Sequence, residues 1–140
     1  AETLRNGWIH TGDIGTMDER GLITFVDRVK DIIVSGGLNI SAAEVERAVL
    51  AFPGIEEAAV IAAKDPKFEE TPLAVIYANG NEVDVPQLIA HCNQRLADFK
   101  VPRYVAVRSE PLPRLATQKI SKPALRAEYA DAHIRLPKVR

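Results

Sequence analysis

The alternation of apolar and polar positions predicts a β-hairpin near the start of the chain. Apolar or alternating runs at Trp8–Gly15 and Leu22–Asp27 flank the polar stretch Asp18–Gly21, whose composition is typical of a turn. Two strands alone are only marginally stable. We therefore place this hairpin outside the domain that the rest of the chain predicts.

Three segments downstream have the apolar spacing and the start signals of helices. Ser41 opens a capping-box pattern, which predicts a helix over about residues 42–51. Asp84 is the predicted N-cap of a second helix, which we expect to end near Phe99. A short third helix is predicted over residues 122–129, and a frayed tail is expected at the end of the chain.

Strands are predicted between these helices. The runs "EEAAVIAAK", "TPLAVIYAN" and "RYVAVRS" have the length and composition of core strands. The shorter apolar run Ile32–Val34 predicts a further strand, which leads into a turn at Ser35–Gly37. Helices interleaved with strands in this way predict an α+β fold of roughly a hundred residues. We expect a small three-stranded sheet packed with helices.

Composition and charge leave the class of partner open. The chain has 140 residues, of which 46% are hydrophobic and 26% charged, which suits one soluble globular domain with room for a fragment of a second. The net charge of -1 gives no electrostatic reason to expect nucleic acid or an anionic membrane as a partner. No transmembrane segment or signal peptide is visible in the sequence.

Cysteine and histidine content limits the chemistry further. The single cysteine, Cys92, excludes an internal disulfide and a cysteine-rich metal site. The three histidines, His10, His91 and His133, are scattered along the chain, so no metal site is predicted. A lone cysteine is typical of a reducing compartment, and we expect the protein in the cytoplasm.

Three motifs occur in a fixed order: "HTGDIG", "DRVKDIIVSGGLNISAAEVE" and "PLPRLATQKISK". Together they resemble the carboxyl-terminal part of the acyl-adenylate-forming enzymes, the AMP-binding superfamily of acyl-CoA synthetases, nonribosomal-peptide adenylation domains and luciferases. The resemblance covers nearly the whole chain. It implies that residues 1–29 are the end of a large amino-terminal domain and that residues 30–140 are a mobile lid domain.

Enzymes of this superfamily join a carboxylic acid to ATP, forming an acyl adenylate and pyrophosphate, and in the CoA ligases the thiol of CoA then takes the acyl group. The resemblance implies a fragment of an ATP-dependent acid–CoA ligase for fatty or aryl acids, with the acid, ATP with Mg²⁺, and CoA as its substrates. The acid pocket and phosphate loop belong to the large domain. We therefore expect this fragment to hold none of these molecules and to be inactive alone.

The resemblance assigns roles to three residues of the hairpin and the junction after it. Asp13 corresponds to the carboxylate that accepts hydrogen bonds from the ATP ribose, and Arg28 to an arginine near the same ribose. Without the resemblance, Asp13 would be a hairpin cap and Arg28 a solvated charge. Lys30 lies at the position of the hinge about which the lid rotates, and an ordinary surface turn is the alternative.

Ser35, Gly36 and Gly37 match the turn that faces the active site during thioester formation. Small or absent side chains there let the backbone approach the pantetheine arm of CoA. A tight turn before a helix cap is the structural alternative. Both interpretations can hold together, because the same lack of side chains serves each.

Lys119 matches the lysine that assists adenylation. When the acid attacks the α-phosphate, an ammonium can bridge the carboxylate and phosphoryl oxygens on which charge concentrates. By residue type alone Lys119 would be a solvated surface charge, and Lys122 is interpreted as the start of the last helix. The superfamily usually has glycine directly before the lysine, and we expect Gln118 to restrict this loop.

Other functions remain open at this point. An adenylation domain that feeds a carrier protein and a non-catalytic α+β binding module are the main alternatives, and a luciferase-like oxygenase is a third. We expect a CoA ligase, because no carrier sequence follows the lysine motif.

Overall fold

Two short antiparallel hairpins open the computed structural model, which describes residues 4–140. The first pairs β1 (Leu4–Arg5) with β2 (Trp8–Ile9), and the second pairs β3 (Asp13–Met17) with β4 (Ile23–Arg28). The Asp18 carboxylate accepts two backbone N–H groups within the second turn, each at 2.9 Å. The predicted turn is confirmed, whereas the predicted first strand is split between β2 and β3.

The second hairpin leaves its apolar side chains uncovered. Met17 is 70% exposed, Ile23 77% and Phe25 59%. Such a cluster on a monomer is unusual, because contiguous exposed apolar surface normally marks a contact with another domain or protein.

Five strands form the main sheet, two more than predicted: β5 (Ile32–Ser35), β6 (Leu38–Ser41), β7 (Glu57–Asp65), β8 (Glu69–Tyr77) and β9 (Tyr104–Arg108). β8 is central, with β7 antiparallel on one edge and β9 parallel on the other, where β5 also meets it through Ser35 and Glu69. The extra strands arise because Gly36 and Gly37, at φ 55° and 83°, turn the chain back so that β5 and β6 pair.

Four helices cover the two faces of this sheet: α1 (Ala42–Leu50), α2 (Val85–Arg95), α3 (Lys122–Glu128) and α4 (Ala132–Arg135). Side chains of Ser41, Asp84 and Ser121 cap the first three by accepting a backbone N–H of the first turn. No helix among residues 4–140 is long and apolar enough to cross a bilayer.

The helix predictions are largely confirmed. The first and third predicted helices match α1 and α3 to within one residue at either end. The second ends at Arg95, before the predicted end near Phe99, because Leu96 has an extended backbone with φ -125° and ψ 150°. The short helix α4 follows the third helix and was not predicted.

Apolar side chains are buried on both sides of the sheet. One core lies under α1 and α2 and includes Val45, Val49, Ile76, Leu88 and Cys92. The other lies under α3 and α4 and includes Leu73, Val75, Tyr104, Leu125 and Ala132. Because both faces are covered, β8 is a nearly continuous apolar run. The α+β class is confirmed.

The end of the chain is packed, so the predicted frayed tail is wrong. Val139 N–H donates to the carbonyl of Arg103 at 2.8 Å. Lys138 pairs with the buried carboxylate of Asp65 at 2.8 Å, and Arg140 pairs with Asp98 at 2.6 Å. These contacts tie the last residues to the loops at one end of the sheet.

Candidate functional site

An open cleft of about 480 Å³ lies between the second hairpin and the segment that leads into α3. Four of the residues singled out in the sequence line it: Asp13, Arg28, Lys30 and Lys119. Asp13 belongs to the first motif, Arg28 and Lys30 to the second, and Lys119 to the third, so the fold brings parts of all three motifs together.

Asp13 and Arg28 face each other across the hairpin. They are paired in the β3–β4 register, and Arg28 Nε lies 2.8 Å from Asp13 Oδ1. Arg28 Nη2 also donates to the carbonyl of Thr11 at 3.3 Å. The two side chains remain 42% and 46% exposed, so donors and acceptors remain available to a ligand.

The lysine loop, residues 114–120, is a tight turn. Gln118 N–H donates to the carbonyl of Leu115 at 2.9 Å, and Leu115 N–H donates to that of Lys119 at 2.7 Å. The Lys119 side chain is exposed, and it forms no ion pair within the described part of the chain. The loop therefore presents a cation to the cleft without neutralising it.

Gln118 adopts a left-handed backbone, with φ 68°. Glycine reaches this region at no steric cost, whereas other residues pay about 1–2 kcal/mol. The left-handed turn therefore gives a physical reason why glycine would suit this position. Gln118 supports the turn under strain.

Two residues that sequence reasoning missed brace the lysine loop. Glu57, on β7, is 14% exposed at its side chain and accepts the N–H of Leu112 at 2.8 Å. Its other carboxylate oxygen pairs with Arg114, which also donates to the carbonyl of Gln118 at 3.2 Å. Arg114 lies within the last motif, but its partner is 57 positions away in the sequence. No local signal connects them.

Lys122 differs from Lys119 in its surroundings. Its ammonium lies 2.6 Å from Glu46, and its side chain is only 16% exposed. It is the first residue of α3, as predicted. Lys122 is thus a structural ion-pair partner, although it borders the same cleft.

Lys30 is exposed in the middle of a 3₁₀ turn, Val29–Asp31, that joins the hairpin to β5. Its carbonyl accepts from Arg126 of α3 at 3.2 Å, and the same guanidinium pairs with Asp31 at 2.6 Å. The junction is short and has no buried residue of its own. It has the exposure that a hinge requires.

The glycine turn, Ser35–Gly37, lies on a different surface. Ser35 and Gly36 line a small cleft of about 180 Å³ together with Phe68, Phe99 and Arg103. Gly36 N–H donates to the carbonyl of Phe68 at 2.9 Å. The structure does not bring this turn into the cleft of Lys119.

Asp27 is a buried acid that the sequence did not reveal. It is 4% exposed, and its carboxylate accepts the Ser41 hydroxyl at 2.8 Å and the N–H groups of Ala43 and Arg28 at 3.0 and 2.8 Å. Burial acts to raise the pKa of Asp27, but these hydrogen bonds, with the nearby charge of Lys122, lower it below its usual value. Asp27 is therefore ionised at neutral pH.

The cysteine and histidines form no site. Burial raises the pKa of the Cys92 thiol to about 11, so the thiol is protonated and unreactive at neutral pH. His91 Nε2 lies 2.8 Å from the carbonyl of Ala48, which anchors α2 to α1. Across residues 4–140 no three acidic, histidine or cysteine side chains are grouped so as to hold a metal ion.

Comparison with known proteins gives a consistent match. The family model of the AMP-binding enzyme C-terminal domain matches residues 44–119. The chain is 43% identical over 129 residues to the long-chain-fatty-acid–CoA ligase FadD13 of Mycobacterium tuberculosis, which is 92% of this chain and 25% of that protein. It is 43% identical over 130 residues to a feruloyl-CoA synthase of an Amycolatopsis species, 92% of this chain and 26% of that protein.

A solved structure shares the fold. The crystal structure of ATP-bound MatB from Rhodopseudomonas palustris superimposes with a TM-score of 0.84 at 34% identity, covering 94% of this chain and 26% of that one. The chain thus spans about a quarter of the length of the relatives it matches.

Proposed function

This chain belongs to the family of AMP-binding enzyme C-terminal domains, and from that premise we propose that it is the lid and adjoining hairpin of an ATP-dependent acid–CoA ligase. The reaction would form an acyl adenylate and pyrophosphate from an acid and ATP, and then an acyl-CoA and AMP. The observation that carries the proposal is the single cleft that Lys119 shares with Asp13 and Arg28.

The cleft suits the adenylating half-reaction. Asp13 provides carboxylate oxygens for the ribose hydroxyls, and Arg28, fixed against it at 2.8 Å, provides guanidinium donors beside them. Lys119 lines the same cleft from the loop before α3. A nucleotide held by its ribose at the hairpin would thus place its α-phosphate near a lysine that forms no ion pair with the side chains that the structure describes.

The chemical role of Lys119 is electrostatic. As the carboxylate oxygen attacks the α-phosphorus, negative charge builds on the non-bridging oxygens while the bond to pyrophosphate breaks. A mobile ammonium that bridges the carboxylate and these oxygens stabilises that charge without a covalent step. Mg²⁺ would neutralise charge on the leaving pyrophosphate. We assign no residue of this chain to it.

The glycine turn supports a second arrangement. Because it lines a different cleft from that of Lys119, acting on the same substrate requires a movement of the lid. We propose that rotation at Lys30 replaces the lysine loop by the glycine turn, whose bare backbone then lines the path of the pantetheine thiol. The exposed 3₁₀ turn that holds Lys30 supports this assignment.

A large amino-terminal domain is the proposed partner. The uncovered side chains of Met17, Ile23 and Phe25 give it an apolar surface to cover. The matched relatives, roughly four times as long, provide the length for such a domain. The names of the relatives, which include a long-chain fatty acid and ferulate, support a fatty or aryl acid as the substrate class. We propose the cytoplasm as the site of this ATP- and CoA-consuming reaction.

Lys119→Ala in the full-length protein tests the proposal. Acid-dependent exchange between ATP and pyrophosphate should fall on the order of a hundredfold or more, because one charged transition-state contact is lost. Conversion of supplied acyl adenylate to the CoA thioester should be largely retained. The 140-residue chain alone should catalyse neither reaction.

Lys64→Ala is the matched control, because Lys64 is an exposed lysine on β7 outside this cleft. It should leave both half-reactions unchanged. Exchange that survives in the Lys119 variant would refute the catalytic assignment. A thioester that forms only on a carrier protein, and not on free CoA, would instead favour an adenylation domain.

A further inference from the structure

Asp27 links two parts of the chain that lie on opposite sides of the proposed hinge. It belongs to β4, before Lys30, and is 4% exposed. Its Oδ2 atom accepts the Ser41 hydroxyl at 2.8 Å and the N–H of Ala43 at 3.0 Å. Ser41 and Ala43 both follow Lys30 and open helix α1 of the lid.

No other side chain of residues 6–140, the part of the chain whose side chains the structure describes, makes such a link. Among these side chains, every hydrogen bond between a residue before Lys30 and a residue after it involves Asp27. The Arg28 guanidinium is engaged within the hairpin, by Asp13 and Thr11. The hydrogen bonds of Arg126 go to Lys30 and Asp31, which belong to the junction itself.

The contact is also electrostatically favourable, because a carboxylate lies at the N-terminus of a helix. The first turn of a helix exposes unpaired N–H groups and carries a partial positive charge, which attracts a carboxylate. Asp27 satisfies one of these groups directly and holds the hydroxyl of the N-cap, Ser41, which in turn accepts from Glu44 N–H at 3.2 Å. The hairpin thus supplies part of the cap of a lid helix.

Rotation at Lys30 must break this contact. A hydrogen bond tolerates only a few tenths of an ångström in donor–acceptor distance. A change of torsions large enough to exchange the lysine loop for the glycine turn carries Ser41 and Ala43 away from Asp27. The carboxylate and the helix terminus then need water as their partner.

We propose that Asp27 is the latch that favours the arrangement in which Lys119 shares a cleft with Asp13 and Arg28. Its release accompanies the change to thioester formation. This inference rests on the proposed function, since that function defines the second arrangement. Asp27 is a positioning residue, because it acts through the hinge and touches neither nucleotide nor acid.

A latch has a signature that a purely structural residue lacks. Weakening it lowers the population of the adenylating arrangement and raises that of the other, because a two-state equilibrium conserves the total. The rates of the two half-reactions should therefore move apart. Loss of general stability would lower both together.

The test uses Asp27→Asn and Asp27→Ala in the full-length protein. ATP–pyrophosphate exchange and thioester formation from supplied acyl adenylate are measured separately. Exchange should fall about tenfold, which corresponds to a shift of about 1.4 kcal/mol in the hinge equilibrium. Thioester formation should be as fast as in the unsubstituted protein, or faster. Asparagine preserves the shape of the side chain, so it reports on the latch if the alanine variant fails to fold.

Asp84→Ala is the matched control. Asp84 also caps a helix, accepting Gln87 N–H at 3.0 Å, but both partners lie within the lid. This variant should leave the ratio of the two rates unchanged. If the Asp27 variants slow both half-reactions by the same factor, or change neither rate, the proposal that Asp27 is a latch is wrong. Failure of the proposed function is distinguishable, because then the unsubstituted protein shows no exchange, or exchange survives Lys119→Ala, and both proposals fall.

Discussion

The lysine loop and the two glycines of the glycine turn are exposed, and both segments contain left-handed backbone, yet only the lysine loop has a side-chain brace. In addition to the backbone hydrogen bonds of that loop, Arg114 ties the carbonyl of Gln118 to Glu57 on the sheet. In the glycine turn, backbone holds backbone, through Gly36 N–H and the carbonyl of Phe68. The lysine loop therefore presents a charged side chain on a fixed backbone. The glycine turn presents backbone without side chains.

Under the proposed function, this difference explains how one small domain would serve two chemical steps. Stabilising a developing charge needs a side chain whose base does not move, and admitting a thin ligand arm needs the absence of side chains. The two requirements conflict at any single surface. Placing them on separate surfaces, joined to the hairpin by one short junction at Lys30, removes the conflict.

The largest expected effect comes from filling the glycine turn with Gly37→Leu in the full-length protein. Gly37 has φ 83° and no atom within 4 Å of the position a side chain would take, so a leucine would project into the open space. Thioester formation should slow on the order of a hundredfold, the usual consequence of misplacing a reacting group by an ångström. Exchange of ATP with pyrophosphate should persist.

Gly80→Leu is the control for backbone strain. Gly80 has φ 85° and equally open surroundings, but it lies in the loop after β8. Both variants should lose about 1–2 kcal/mol of unfolding free energy. Equal slowing of thioester formation in the two would contradict a role for access at the glycine turn.

Arg114→Ala should weaken the lysine loop, the other of the two segments compared. Without the guanidinium, the lysine loop loses its tie to Glu57, and Lys119 samples more positions. Exchange should fall about tenfold, equivalent to about 1.4 kcal/mol of transition-state stabilisation. Thioester formation should be nearly unaffected, because the loop then faces away.

Arg20→Ala provides the reference for a surface ion pair. Arg20 pairs with Asp18 in the hairpin turn, and its side chain is 80% exposed. Its loss should change neither rate. An Arg114 variant that behaves in the same way would show that the brace does not position Lys119.

Smaller effects are expected on the free energy of unfolding, and they have opposite signs at Gln118 and Gly36. Gln118→Gly should stabilise the chain by about 1 kcal/mol, because glycine relieves the strain at φ 68°. Gly36→Ala should destabilise it, since the new Cβ would lie 3.2 Å from the ring of Phe68 at φ 55°. Urea unfolding of both variants measures this, and destabilisation by Gln118→Gly would contradict the left-handed turn.

The smallest expected effect is a pH dependence near the glycine turn. Burial acts to raise the pKa of Asp65, but bonds from Lys138 and the N–H groups of Lys67 and Phe68 lower it below its usual value. A depressed pKa means that the contribution to stability is complete above the unfolded-state value of about 3.9. It is lost as the pH falls through the lower folded-state pKa.

Asp65→Asn should remove this part of the acid sensitivity. The free energy of unfolding, followed from about pH 5 to about pH 2, should fall less steeply in the variant than in the unsubstituted chain. Parallel curves would show that Asp65 does not support the turn through its charge. The same measurement on Asp27→Asn reports on the hairpin side of the molecule.

Elements with local signals could be predicted from the sequence. Ser41 and Asp84 cap the helices whose starts they predicted, and Asp18 accepts the hydrogen bonds of the predicted turn. The capping box is only half formed, however. Glu44 turns away from the N-cap to pair with Lys100 at 2.9 Å, a partner that no local pattern indicates.

Features that depend on distant pairing were missed. The short strand predicted at Ile32–Val34 is confirmed as β5, but its place in the main sheet was not predicted, and neither was β6. The glycine turn pairs these two strands, and Ser35 meets Glu69 on β8. The contacts of Asp27 with Ser41 and of Arg114 with Glu57 are likewise tertiary. The tail was misjudged because Arg103 and Asp98, its partners, lie far upstream.

The candidate site shows the same contrast between features with local sequence signals and features that depend on distant contacts. The motifs indicated which residue types carry chemistry, but not that Lys119 and Asp13 would line one cleft while Ser35 lines another. The structure adds most at Gln118. The resemblance leads one to expect glycine there, and the φ of 68° gives a physical reason for that expectation.

The parallel pairing of β8 with β9 has a consequence for folding during synthesis on the ribosome. Leu73 is paired with Tyr104, and the whole of α2 must be made before these partners can meet. Until then the nascent chain displays an apolar strand with one unpaired edge, a template for association with other chains. Any chain terminated before β9 would keep that edge, so we expect such products to precipitate rather than to persist as a smaller folded unit.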